Sequence, residues 1–198
     1  MFRTDLNEDG VEIAYQPKFI AGEQTRGLFE AVFREAAWEQ PTIQLFGRSH
    51  QVPRLVAWHG DEGCKYRYSG QEHAWHPWTP ALERIRRLVE KDFGPQQAVL
   101  ANFYLDGSHG IGAHADDEDD LAPEAPILMV SLGAVRRFVI KHRTTKARHV
   151  LEMEDGSLLV MGGRTNSVAV HSLPKTKQVV GPRISLTFRR MNARKLGA

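Results

Sequence analysis

Arg183-Ile184-Ser185-Leu186-Thr187-Phe188-Arg189, close to the end of a 198-residue chain, alternates apolar and polar side chains. That alternation is the pattern of a half-buried β-strand. Ile184, Leu186 and Phe188 share one face; Arg183, Ser185, Thr187 and Arg189 share the other. The two arginines are six residues apart, so they point the same way, with their Cα atoms roughly 20 Å apart along the strand. A guanidinium fork reaches several ångströms inward and suits a carboxylate. Two forks on one face suit a small dicarboxylate. Upstream stand His114-Ala115-Asp116 and then His171, the residue types of a two-histidine, one-carboxylate iron site.

Working outward, short apolar segments recur at about 97–106, 110–116, 125–132, 136–143, 148–154, 156–161, 167–171 and 182–190. Gly107, Gly110, Pro123, Gly133, Gly156, Gly162, Gly163 and Pro174 punctuate them. So many short strands fit a two-sheet jelly roll or a distorted barrel. Two helices are predicted before them. Residues 24–38 space Leu28, Phe29, Val32, Phe33, Ala36 and Ala37 helically. The second starts at Thr79-Pro80, buries Leu82, Ile85, Leu88 and Val89, and stops at Gly94-Pro95. Residues 11–20 suggest a strand entering a helix. Helices followed by strands give an α+β class. Residues 42–78 are rich in aromatic, glycine and basic residues. They read as short hairpins and loops rather than core strands, lying over a site.

Composition sets bounds. A 198-residue chain with 41% hydrophobic and 25% charged residues is expected to form one domain with a sizeable core. Its expected parts are an N-terminal strand and helix (1–41), a lid (42–78), a supporting helix (79–95), the β core (96–190) and a tail (191–198). A formal net charge of +2 is too small to argue for a polyanionic partner by itself. The single Cys64 excludes an internal disulfide, and a reducing, cytoplasmic compartment is expected. No apolar run reaches membrane-span length, and the polar, acidic N-terminus is unlike a secretory signal.

Nine histidines at an acid frequency of 24 in 198 give about one His-x-acid triplet by chance. The chain has two such triplets, so context must choose. His59-Gly60-Asp61 runs into Glu62-Gly63 and reads as a turn. His114 and Asp116 instead follow Gly110-Ile111-Gly112 at a strand end, where alternate positions share a face. His171 ends the apolar run Ser167-Val168-Ala169-Val170. Three protein ligands leave about three positions on six-coordinate iron, two for a bidentate 2-oxo acid and one for dioxygen. Asn102 and Tyr104 share a strand face and carry hydrogen-bonding groups that an oxo acid can use.

Further stretches add to this set: Phe46-Gly47, Val52-Pro53-Arg54, Tyr66-Arg67-Tyr68-Ser69-Gly70, Pro77-Trp78, Asp117-Glu118, Leu121-Ala122-Pro123 and Val130-Ser131-Leu132-Gly133. From about residue 44 to 190 the chain resembles the AlkB family of iron- and 2-oxoglutarate-dependent nucleic-acid dealkylases, most closely its duplex-DNA branch. The resemblance implies a double-stranded β-helix (jelly-roll) core with a nucleotide-recognition lid. It implies that His114, Asp116 and His171 hold Fe(II) and that Arg183, with Tyr104, takes the distal carboxylate of the cosubstrate 2-oxoglutarate. Arg189 and Asn102 then bind near its oxalyl end, beside Ser185, which stands where some members have asparagine. Glu118 is implied to read the exocyclic amine of a damaged base, with Tyr68 stacking on that base and Tyr66 lining its pocket. Phe46 matches a finger that fills the gap left by an extruded base. Lys175 and Lys177 fall where a relative carries a denser basic run, interrupted here by Thr176 and Gln178.

The implied activity is oxidative removal of N-methyl groups from alkylated DNA, single or double stranded, with 1-methyladenine and 3-methylcytosine as lesions. Dioxygen is consumed, and formaldehyde, succinate and CO₂ are released. A monomer with no membrane partner is expected. The same chemistry on RNA or a protein stands as the alternative. A metal-binding jelly roll that is no oxygenase is a third reading, against which the arginine pair argues.

Overall fold

Alternating apolar patterns dictate strands through most of the chain, and hydrogen bonding assembles them into two facing sheets. The computed structural model describes residues 4–45, 48–64, 66–68, 71–73 and 75–192. In chain order these are β1 (Thr4–Glu8), β2 (Val11–Gln16), α1 (Gly22–Glu35), β3 (Thr42–Leu45), β4 (Arg48–Gln51), β5 (Leu55–Gly60), β6 (Tyr66–Tyr68), β7 (Gln71–His73) and α2 (Pro80–Phe93). There follow β8 (Ala98–Tyr104), β9 (Ile111–His114), β10 (Ile127–Gly133), β11 (Arg136–His142), β12 (Arg148–Met153), β13 (Ser157–Met161), α3 (Thr165–Val168), β14 (Ala169–Leu173) and β15 (Arg183–Arg189). The larger sheet has seven strands in the order β1-β2-β13-β10-β15-β8-β5, and the smaller has four in the order β12-β11-β14-β9. Neighbouring strands are antiparallel throughout. β3–β4 and β6–β7 are separate hairpins.

Two main cores follow from this layering, with a smaller cluster of Trp58, Cys64, Ala98 and Met191 beside them. Leu28 and Val32 of α1 and Leu82, Ile85 and Val89 of α2 pack on Leu128, Val130, Ile184, Leu186 and Phe188 of the larger sheet. Between the sheets, Ile127, Met129, Leu159 and Met161 meet Phe138, Ile140, Met153 and Leu173. The helix signals act as read. The Thr79 hydroxyl accepts the Leu82 N–H at 3.3 Å, Pro80 opens α2, and Gly94 closes it at φ 70°.

Four expectations are corrected. First, β15 is not half-buried: all seven of its residues are buried. It lies between β10 and β8, so its apolar face sits under the helices and its polar face lines the space between the sheets. Second, residues 42–78 include a core strand, β5, buried from Val56 to Gly60 at the edge of the larger sheet. Burial on both faces leaves it without polar alternation, and the aromatic, glycine and basic residues around it make the stretch read as loop. His59 lies inside this strand; the turn begins after it and passes through Gly63 at φ 84°. The His59 ring accepts the Ala37 N–H at Nε2 (3.2 Å), so its proton is on Nδ1, donated to the Pro77 carbonyl at 2.7 Å. Third, Leu88 stands 37% exposed rather than on the buried face of α2. Fourth, α1 ends at Glu35, short of Trp38. β1 and α3 are elements that the pattern of the chain does not announce.

Candidate metal and cosubstrate site

β9 and β14 pair so that His114 stands opposite His171. Close approach depends on Gly110: a Cβ there would lie 2.6 Å from the Leu173 carbonyl oxygen. The two imidazole centroids are 4.4 Å apart at 61°. Asp116 follows two residues after β9 and is 6% exposed. Its Oδ1 lies 3.9 Å from His114 Nε2 and its Oδ2 3.9 Å from His171 Nε2. All three ligand atoms fall within 4.8 Å of one another, the one such group of three found among the described residues.

The surroundings set the protonation of each group. His114 Nδ1 lies 2.9 Å from the Gly112 carbonyl, which takes the ring proton and leaves the Nε2 lone pair for a metal. Burial pushes His171 down to about 4, against the pull of Asp116, so it is neutral at neutral pH. Burial would raise the Asp116 carboxyl, but Arg189 and then the two histidines hold it below the usual carboxylate range. Arg189, wholly buried, donates from Nη2 to Asp116 Oδ1 at 2.8 Å. Two imidazoles and a charge-anchored carboxylate, all converging, are the donor set that fits ferrous iron.

Next to this triad, Arg183 is 1% exposed. Its Nε donates to the Ser131 hydroxyl at 3.0 Å, its Nη2 lies 4.0 Å from Met129 Sδ, and its guanidinium carbon sits 5.6 Å from the Tyr104 ring centre. Among the described residues no carboxylate pairs with it. Burial lowers it to about 10, which still leaves a cation at neutral pH. A buried cation without a carboxylate partner is costly, and a carboxylate from a cosubstrate removes that cost. Tyr104 is buried beside it; burial raises its hydroxyl, while Arg183, Arg54 and Arg136 oppose that rise. Asn102, Tyr104, Arg183, Ser185 and Arg189 line one cavity with the metal triad. Strand register explains it: Arg183 faces Tyr104 and Ser185 faces Asn102 across β15 and β8.

Arg189 donates to Glu118 Oε1 at 3.2 Å as well as to Asp116. Glu118 Oε2 is buried without a hydrogen-bond partner, an acceptor in reserve. Two polar lining residues, Thr187 and Arg54, are not marked as site residues by sequence: Thr187 shares the polar face of β15, so alternation alone points to it, whereas Arg54 in Val52-Pro53-Arg54 carries no such signal. Tyr66 and Tyr68 lie on β6, with side chains outside the described ones, and Phe46 lies outside the described residues. Lys141, Arg143, Lys146 and Arg148, in and beside the β11–β12 turn, are exposed, as are Lys175 and Lys177.

A family profile for the 2OG-Fe(II) oxygenase superfamily matches residues 12–189. The mouse (Mus musculus) protein named DNA oxidative demethylase ALKBH2 is 42% identical over 158 residues, covering 75% of this chain and 66% of that protein. The human (Homo sapiens) protein of the same name is 39% identical over 198 residues, covering 94% of this chain and 76% of that protein. The matched stretch thus spans about two thirds to three quarters of these relatives. A solved structure, described as "The structure of OsALKBH1", superposes with a TM-score of 0.69 over 94% of this chain and 100% of that one, at 16% identity, which shows a shared fold.

Proposed function

The chain belongs to the 2OG-Fe(II) oxygenase superfamily and within it to the AlkB family, and from that premise we propose that it is an oxidative demethylase of alkylated DNA bases. The observation that carries the reading is the convergence of His114, Asp116 and His171 beside Arg183, a buried cation that no carboxylate of the described residues pairs. His114, Asp116 and His171 would hold Fe(II), while Arg183 and Tyr104 would receive the distal carboxylate of 2-oxoglutarate. Bound together, iron and cosubstrate supply the oxidising power: dioxygen and 2-oxoglutarate go to succinate and CO₂ as the N-methyl group is hydroxylated and lost as formaldehyde.

The protein's part is to hold, orient and shield. Arg189 keeps Asp116 anionic and holds its Oδ1. The same guanidinium holds Glu118, whose second oxygen is left to accept from the exocyclic amine of a base. Methylation at N1 of adenine or N3 of cytosine leaves that base cationic, so a carboxylate favours it over the intact base. A methyl group inside the duplex cannot reach the iron, so the base must leave the stack. Phe46 filling the gap, Tyr68 stacking and Tyr66 lining the pocket complete this reading, as does a lid over residues 42–78. The printed names of the mouse and human relatives support DNA as the substrate class. A reducing, cytoplasmic compartment fits the single, buried Cys64; the chain is taken to act as a monomer.

The test is mass spectrometry of oligonucleotides carrying 1-methyladenine or 3-methylcytosine, as single-stranded DNA, duplex DNA and RNA, after incubation with protein, Fe(II), ascorbate and 2-oxoglutarate. Loss of 14 mass units from DNA, which for a methyl-to-hydrogen exchange is about one CH₂, with matching succinate, is the expected result. Turnover confined to RNA would move the substrate assignment.

A further inference from the structure

Arg54 has no task in that mechanism, yet it is 6% exposed and lines the same cavity. It stands immediately before β5, whose Leu55 and Val56 pair with Phe103 and Asn102 of β8. The chain therefore delivers its guanidinium beside Asn102, and Nε donates to Asn102 Oδ1 at 2.8 Å. Among the described residues no carboxylate pairs with Arg54.

This bond has a chemical consequence. A guanidinium carries donors only, so the amide atom it meets must be the oxygen. The two ends of an asparagine amide are nearly the same in shape and opposite in polarity. Arg54 therefore resolves an ambiguity: the Asn102 oxygen is engaged, and its NH₂ is the group left to donate within the cavity. Charge points the same way. Arg54, Arg183 and Arg189 line the cavity with one carboxylate, Asp116. Asp116 and the adjoining Glu118 both pair with Arg189. Arg54 and Arg183 are thus two deeply buried cations without a carboxylate, and a 2-oxo dicarboxylate brings two negative charges.

We propose that Arg54 is a positioning and specificity residue for the cosubstrate: it locks the Asn102 amide as a donor and supplies the second of two unpaired cations that select a dianion over a monoanion. The proposal rests on the oxygenase assignment above and is independent of which nucleic acid is repaired.

The test is calorimetric titration of the full chain loaded with Mn(II), which binds without turning over. 2-Oxoglutarate and the monoanion 2-oxobutanoate are each added to wild type, Arg54→Lys, Arg54→Met and Asn102→Asp. Wild type should prefer the dianion strongly. Loss of a hydrogen-bonding cation should cost Arg54→Met about tenfold to a hundredfold in 2-oxoglutarate affinity. Its affinity for 2-oxobutanoate should change less, so the preference narrows. Arg54→Lys should retain the preference, since the charge remains, while binding more weakly overall for want of the fork. Asn102→Asp keeps, and strengthens, the pair with Arg54, so the fold survives even if Arg54→Met does not; it should still lose 2-oxoglutarate affinity, because Arg54 is neutralised and the amide donor is gone. Mn(II) affinity should be unchanged in the Arg54 variants. Wild-type 2-oxoglutarate affinity and preference in Arg54→Met would overturn the proposal, as would a loss confined to methylated-oligonucleotide binding, which would make Arg54 a phosphate contact. Wild-type protein that takes up no 2-oxoglutarate at all would instead bring down the oxygenase assignment.

Discussion

At the scale of single residues, burial decides the chemistry of the site. His171 packs against Phe138, with ring centres 5.3 Å apart, and is driven down to about 4 from an ordinary 6.5. In the unfolded chain it takes a proton below 6.5; in the metal-free fold it resists until about pH 4. The unfolded state binds more protons in that window, so stability is lost as pH falls through it, with up to about 3 kcal/mol at stake. Chemical denaturation of metal-free protein between pH 7 and 4 should show this loss, and His171→Gln should reduce it, leaving the share of His59, which burial also lowers. A second residue behaves oppositely: burial, with Asp61 adding to it, raises the Cys64 thiol to about 11. Native protein should therefore react with a thiol reagent near neutral pH only after unfolding, and a prompt native reaction would contradict the burial. Site residues were legible where a motif fixed both type and neighbours, as in His114-Ala115-Asp116. Arg54 was not, because its meaning lies in one bond to Asn102, 48 positions away.

At the scale of elements, the site depends on strands brought closer than most side chains allow. Gly110 lets the chain entering β9 pass the Leu173 carbonyl, so Gly110→Val should force β9 and β14 apart. The expected result is a loss of Co(II) or Mn(II) affinity of at least about tenfold with far-ultraviolet circular dichroism retained, since the cost falls on one strand pair rather than the core. Thr79→Ala removes the cap of α2 and should cost about 1 kcal/mol in denaturant unfolding, without touching metal affinity. Strand boundaries from residue 97 onward follow the apolar pattern to within a few residues, because each strand has a face in a core. β5 escaped that pattern. Its central residues are buried on both faces, so no polar alternation marks it, and Trp58 and His59 satisfy their polar atoms through Cys64, Pro77 and Ala37.

At the scale of the whole molecule, the two sheets do different work. The larger sheet carries Arg183 and Arg189 on an interior strand, β15, and Arg54 just before its edge strand β5, with two helices behind it. The smaller sheet carries both metal histidines on adjoining strands. The cavity between them is where a cation-rich wall meets a ligand-bearing wall, and separation of the sheets would dissolve both sites together. Residue alternation made the two walls readable one at a time; their apposition is a property of the fold, which only packing fixes. The most direct measurement is the visible absorption of protein loaded with Fe(II) under anaerobic conditions as 2-oxoglutarate is added. The charge-transfer band of an iron–2-oxo acid chelate is expected in wild type, and its loss in Asp116→Ala and His171→Ala. A wild-type protein that gives no band, or an Asp116→Ala variant that gives it undiminished, would contradict the assignment.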